Sequence, residues 1–294
     1  MLQDKTRRRR LENTLTQQGA WQQLDRIKEL SNKNVSHKWL RHLDVKAGSV
    51  LTAIDFVSNA QKRLGARMCT SAIHCRLCGA PLDAQLEHAE TCCTAEATRG
   101  HYAVVRAVVD GLKLADPAVT TEPRGLTSTS SRPADILTIA AVPGRSAALD
   151  VCVASPNASI ARGDAAAAAF ARKLDRYQNE IVELRQAGIS FRPLVWTADG
   201  RPHAAVTRTL RYAADIAAHR NGQQVSAGRL VSRWSHEIQI AILRRRAAMS
   251  RAVLPRLTAR DVWLLAGQAE RDGGGGARAP ALDEDGLSAN GADG

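Results

Sequence analysis

The sequence predicts an α/β fold, a small β-sheet flanked by helices, on three observations. Two short, β-branched apolar runs, "DILTIAAV" (135–142) and "AALDVCVA" (147–154), lie either side of "PGR", the pattern of a hairpin. A third apolar run, "FRPLVW" (191–196), is a further strand candidate, closed by the turn "ADG". Stretches of helical periodicity precede, separate and follow these runs, so helices are at hand to cover the sheet.

The elements follow in chain order. Residues 5–10, "KTRRRR", bring Arg7, Arg8, Arg9 and Arg10 together; they suit a phosphate-contacting arm, a nuclear address or a solvated charge run. From Leu11 to about Arg63 the pattern is polar and helical. Trp21, Leu24, Ile27 and Leu30 recur at helical spacing, and Trp39, Leu40, Leu43, Leu51, Ile54, Phe56 and Val57 suggest further short helices; these positions are read as core. "GHYAVVRAVVDGLKL" predicts a helix with Val104, Val105, Val108 and Leu112 inward. Residues 164–187 read as one long helix, capped by Asp164 and ended by Gly188, with a stripe of Phe170, Leu174, Tyr177, Ile181 and Leu184. Another helix spans about 203–219. A long amphipathic helix covers 225–252, with Leu230, Trp234, Ile238, Ala241 and Leu243 inward and Arg244, Arg245 and Arg246 outward. A short helix follows Pro255, and the Gly-rich, acidic end reads as disordered. The divisions are a basic helical region 1–66, a cysteine-bearing segment 67–97, a strand-bearing core 98–220, helices over 221–268 and a tail 269–294.

Residues 75–93 read "CRLCGAPLDAQLEHAETCC". Cys75 and Cys78 are spaced C-x2-C, and His88 with Cys92 form H-x3-C. Three thiolates and one imidazole satisfy tetrahedral Zn2+, in a closed site whose role is structural. So short a segment buries too little apolar surface to fold alone, so metal binding would supply its stability. Cys93 is the rival to Cys92 as fourth ligand, and Cys69 and His74 lie outside the pattern.

"RPAD" puts Asp135 at the start of the first hairpin strand, and "LDVCV" puts Asp150 within the second. Strand alternation sends Asp150 and Cys152 to one face and Leu149, Val151 and Val153 to the other. An acid in so apolar a strand is costly to bury without a partner. Across the hairpin Asp135 and Asp150 can converge, and paired carboxylates suit Mg2+. Lys173 flanks the stripe of the following helix and can lean over the hairpin's polar face. Glu122, in "TTEPRG", is a candidate third carboxylate.

"PAD…LDVCV" followed by a helix with Lys173 looks like the PD-(D/E)XK nuclease pattern. More narrowly, "CRLC…HAETC", "RPADIL", "LDVCV", "KLDRY" and "FRPLVWTADG" together resemble the C-terminal region of site-specific non-LTR retrotransposon reverse transcriptase proteins. Those proteins place a CCHC zinc knuckle before a restriction-like endonuclease. The upstream "HKWLRHLDV…FVSNAQKRLGARM" looks like the linker before that knuckle, and the resemblance covers about 37–250. It implies a small mixed β-sheet of restriction-endonuclease-like type, behind a zinc knuckle and N-terminal helices. By the same resemblance Asp135 and Asp150 would hold Mg2+, Lys173 would be the catalytic lysine moved from strand to helix, and Arg132 would accompany the first acid. Two departures stand out: the first acid lies in "PAD" rather than "PD", and Cys152 occupies the strand position of the usual lysine. The implied function is nicking of target DNA to prime reverse transcription, with DNA and the element's RNA as partners. A nucleic-acid-binding protein without catalysis is the alternative.

Composition bounds these readings. The 294 residues carry a formal net charge of +12, which favours a polyanionic partner. No apolar run is long enough to cross a membrane, and the first residues lack the apolar stretch of a secretory signal. An intracellular, nuclear location is expected. No "YADD" or "FADD" occurs, so if the parent element has a polymerase, its site is expected outside these residues, with an upstream reverse transcriptase domain as a candidate partner.

Overall fold

A computed structural model describes residues 2–41, 50–69, 73–92, 95–129, 132–155 and 163–254. The helix expected after Pro255, the tail 269–294 and Cys93 lie outside the described residues. The chain begins with α1 (Leu2–Gln17), α2 (Trp21–Leu30), a 3-10 turn at Lys38–Leu40 and α3 (Ala53–Leu64). The cysteine segment follows, with a 3-10 turn at Glu87–Glu90, and then α4 (Ala95–Leu112). Next come β1 (Thr120–Thr121), β2 (Ile136–Val142), β3 (Arg145–Ala154), α5 (Ala165–Arg176), α6 (Gln178–Gln186) and β4 (Ser190–Thr197). Two helices close the described chain: α7 (Ala204–Arg220) and α8 (Ala227–Val253).

The four strands form one mixed sheet in the order β1-β2-β3-β4. β2 and β3 are the expected hairpin, antiparallel, with Val142 opposite Arg145. Gly144 turns the chain at φ +69°, in the left-handed region that a side chain disfavours. β4 lies parallel to β3, with Asp150 opposite Pro193. A parallel return needs a crossover, and α5 and α6 supply it. The two-residue β1 extends the sheet beyond the three strands expected. The β2–β3 register slips between Thr138 and Val142, and buried Asp116 repairs the ladder there. Its Oδ2 accepts from Thr138 Oγ1 at 2.6 Å and from the Ile139 N–H at 3.0 Å.

Helices cover both faces of the sheet. Leu149 and Val151 pack with Val104, Val108, Leu210, Trp234 and Ile238, on the side of α4, α7 and α8. On the opposite face Cys152 and Ala154 pack with Ala166, Ala169 and Phe170 of α5. The alternation expected along β3 therefore holds.

Three expectations are corrected. The helix expected over 164–187 is two helices. Asp164 caps the first, accepting from Ala166 N–H and Ala167 N–H, but the chain breaks at Tyr177 (φ −106°, ψ 22°). The break lets the halves serve different clusters: Phe170 packs beside Cys152 and Ala166, whereas Tyr177 turns to Phe191, Ala148 and Leu184. Leu174, placed in the stripe, is exposed. In the N-terminal region Leu24, Trp39 and Leu51 are core, but Trp21 is 59% exposed and Ile54 61%. Helical spacing finds a face without saying how much of it a neighbour covers. Arg246, expected outward, is buried at 6% exposure among Glu90 and Asp199, because acids from other segments meet it there. Among the described residues no helix is long and apolar enough to cross a membrane.

Candidate metal centre and acid–lysine site

The cysteine segment gathers its four ligands by local backbone geometry. Gly79, at φ +73°, turns the chain directly after Cys78, and its N–H bonds the Cys75 carbonyl at 2.8 Å. Asp83 organises the return: its carboxylate accepts from the N–H groups of Gln85, Glu87 and His88 at 2.9–3.0 Å. His88 is thereby delivered to Cys78, with 3.2 Å between Nε2 and Sγ. Cys75 Sγ and Cys92 Sγ lie 4.0 Å apart. The ligand atoms of Cys75, Cys78, His88 and Cys92 all fall within 4.8 Å of one another. Zinc–sulfur bonds in a tetrahedral site put sulfurs about 3.8 Å apart, so this set could hold a metal such as zinc.

The electrostatics suit a cation. Burial and the neighbouring Cys75 and Cys78 push the Cys92 thiol up to about 12. Burial also opposes the Cys75 thiolate, but N–H donors from Leu77 and Cys78 outweigh it and bring Cys75 to about 7. Sulfurs crowded together resist sharing negative charge, and a divalent ion among them removes that resistance.

The segment is also wired into the fold. Leu82, Leu86, Ala89 and the two buried cysteines pack on Val253 at the end of α8. Buried Lys62 donates to the Leu86 carbonyl at 2.9 Å and pairs with Glu90 at 3.4 Å. Glu90 also meets Arg246 of α8 and accepts from Ser155 Oγ at 2.9 Å. Ser155 follows directly on β3, the strand that carries Asp150.

Asp150 lies in β3 at 5% exposure, facing α5. Lys173, two turns into α5, brings Nζ to 3.0 Å from Oδ1, which it hydrogen-bonds. The ammonium is also 2.9 Å from Oδ2, an ion-pair contact outside hydrogen-bond geometry. Oδ2 is buried and receives no hydrogen bond, so the Lys173 ammonium is the charge that faces it. Burial raises the Asp150 carboxyl to about 6, although Lys173 pulls it down. For Lys173 itself burial is outweighed by the Asp150 charge, and its ammonium is held more firmly than usual. Both groups are shifted upward, which disfavours the carboxylate and favours the ammonium; the carboxylate bears the cost of burial because it is the deeper partner, at 8% side-chain exposure against 21%.

Asp135 immediately precedes β2. Its Oδ2 accepts from the Val151 N–H at 2.6 Å, standing in for a backbone carbonyl where the hairpin ladder ends. Its Oδ1 lies 3.2 Å from His101 Nε2 on α4. The charges of both Asp135 and His101 act on Asp150. Asp135, Asp150 and Lys173 are thus brought together as the order of the chain suggests. His101 joins them unannounced: a single histidine beside Gly100 in a helical stretch carries no signal of its own, and only the packing of α4 brings it to Asp135.

Glu122 does not complete a three-carboxylate set. Its N–H bonds the Asp135 carbonyl at 2.8 Å, but its side chain turns to Arg132, 3.5 Å away. Among the described residues the Cys75, Cys78, His88 and Cys92 set is the one group of three or more such ligands. The backbone at Glu122 is left-handed (φ +49°). Arg132 is exposed and answers Glu122 rather than the first acid. Arg7, Arg8, Arg9 and Arg10 lie exposed along α1, where Arg8 pairs with Glu12 at 3.1 Å. They take no part in the contacts around Asp150.

No protein-family model matches this chain, and no curated protein matches it either.

Proposed function

We propose that this chain is a metal-dependent DNA endonuclease module of the kind its sequence resembles, with a restriction-endonuclease-like core and a structural zinc knuckle. The observation that carries the reading is Lys173 paired to a buried Asp150 beside Asp135, a two-acid and one-lysine grouping at the mouth of a hairpin. Asp150 and Asp135 would hold Mg2+. The ion when bound lowers the pKa of a water ligand and offsets charge on a scissile phosphate. Lys173 would hold a phosphate oxygen or the attacking water in place, and its raised pKa keeps it cationic for that role. His101 would orient Asp135. The 3′ end released by nicking would prime reverse transcription by a polymerase domain elsewhere, on DNA and element RNA in the nucleus.

The test is nicking of supercoiled plasmid with Mg2+ or Mn2+. Wild-type protein should nick, and Asp150→Ala should lose activity by at least about a hundredfold, the scale expected for a metal-holding acid. Unchanged nicking by that variant would end the assignment.

A second reading is supported by Asp135, whose Oδ2 is already bound to Val151 N–H. On that reading the acid caps a strand, and the chain is a nucleic-acid-binding protein derived from such an element without catalysis. Full zinc occupancy and tight DNA binding with no nicking in either metal would favour it.

A further inference from the structure

We infer that the groove between α4 and α8 binds the phosphate backbone of a nucleic-acid duplex, at a site apart from the zinc ligands and the acid–lysine residues. The groove measures about 1620 Å³ and is lined by none of those residues. Pockets for small molecules and cofactors run to roughly 300–1,000 Å³, so this one suits an extended ligand.

Its chemistry is basic. Lys38 and Arg41 enter from the N-terminal region, Arg99 and Arg106 from α4, and Arg229, Arg233, Arg244 and Arg245 from α8. Among the described lining residues three carboxylates, Glu96, Asp110 and Glu237, oppose these eight cations. They are already engaged: Glu96 with Arg99, Asp110 with Lys113 and Glu237 with Arg233. Exposed Arg41, Arg106 and Arg229 form no ion pair among the described residues. Three exposed guanidinium groups without carboxylate partners facing one groove are the electrostatic footprint of a polyanion.

The floor is kept low by small residues, Gly100, Ala103 and Ala107 on α4 and Gly228, Ala241 and Ala248 on α8. Gly100 has a specific task. The Arg245 side chain lies across it, so close that a Cβ there would be 2.2 Å from Arg245 Cγ. Arg245 then reaches the Ala97 carbonyl at 3.4 Å, and its charge acts on Cys152. One end of the groove therefore approaches the strand that carries Asp150.

The occupant is a duplex rather than a single strand, because the groove offers little to stack bases on: its described aromatic rings are those of His37 and His236, and His236 is buried. No Phe, Tyr or Trp is among its described lining residues, and single-strand grooves depend on aromatic faces for the bases. Arginines with Ser226 and Ser232 are donors suited to phosphate oxygens and read no base.

The test is fluorescence anisotropy on the full chain, with a short DNA duplex, an RNA duplex and single-stranded DNA, without added divalent metal. Arg106→Glu with Arg229→Glu should weaken duplex binding tenfold or more at about 0.1 M salt and flatten the log–log salt dependence by about 2. Arg145→Glu with Arg185→Glu, an equal charge change at exposed sites outside the groove, should shift affinity by less than about threefold. All four positions are exposed, and circular dichroism checks that each variant is folded. A preference for either duplex supports the groove and names its source as DNA or RNA. Equal weakening by the two pairs, or tighter binding of single strand than of both duplexes, overturns it. Because no nicking is read, failure of the endonuclease reading leaves this result intact, and the reverse holds as well.

Discussion

The proposed zinc knuckle and the acid–lysine site are assembled in opposite ways. All four knuckle ligands fall within residues 75–92, and turns at Gly79 and Asp83 bring them together. The acid–lysine site draws His101 from α4, Asp135 from the mouth of β2, Asp150 from β3 and Lys173 from α5. In the first, a bound ion would relieve crowded thiols. The second already carries its own cation, and the deeper carboxylate bears the cost of burial. A locally coded site should thus fail by losing its metal, and a tertiary site by losing a neighbour.

The largest effect should come from the knuckle. Cys75→Ser should reduce bound zinc from about one equivalent to well below it, and should loosen the contact with Val253, since structural zinc supplies on the order of 10 kcal/mol to small metal-folded units. Elemental analysis and a cobalt-substituted spectrum read this directly. Retained stoichiometric zinc would move the fourth ligand elsewhere and break the comparison.

Next is Lys173→Ala, which strands a buried carboxylate. It should destabilise the fold by about 3 kcal/mol near pH 8, measured by urea unfolding, and by less at pH 5, where Asp150 can take up a proton. An effect independent of pH would mean that Lys173 acts through packing alone.

The wild-type pH profile sharpens the same point. The Asp150 carboxyl is raised to about 6 from its ordinary 3.8, so the folded protein holds that proton more tightly than the unfolded chain. The resulting stability is fully present below about pH 3.8 and is lost as pH rises through about 6. Asp150→Asn should flatten the profile across that window by on the order of 2–3 kcal/mol. On the proposed endonuclease reading, Mg2+ affinity should rise across the same window, because the ion would compete with the proton; calorimetric titration at pH 5 and 7 checks this.

Gly100→Ala should cost about 1–3 kcal/mol, because the added methyl collides with the Arg245 stem. Least of all, Trp21→Ser should change stability by under about 0.5 kcal/mol, since the ring is 59% exposed.

Much of the core was legible. The "PGR" turn, the alternation along "LDVCV" and the caps at Asp164 and Gly188 all depend on neighbours a few residues away, and all hold. The break at Tyr177 was not legible, because a helical stripe looks continuous whether its halves face one cluster or two. Nor was the inward turn of Arg246, which depends on Glu90 and Asp199 arriving from distant segments. Glu122 looked available as a third acid until Arg132 turned it aside.

By itself, then, the sequence determined the hairpin, the face on which Asp150 stands and the four-ligand spacing of the knuckle, because each follows from the local periodicity and reach of the backbone. Only the tertiary structure decided that His101 meets Asp135, that Glu122 does not join the acids and that α4 and α8 leave a basic groove between them. Those outcomes depend on how helices pack across a sheet, and packing is set by the shapes of surfaces far apart in the chain.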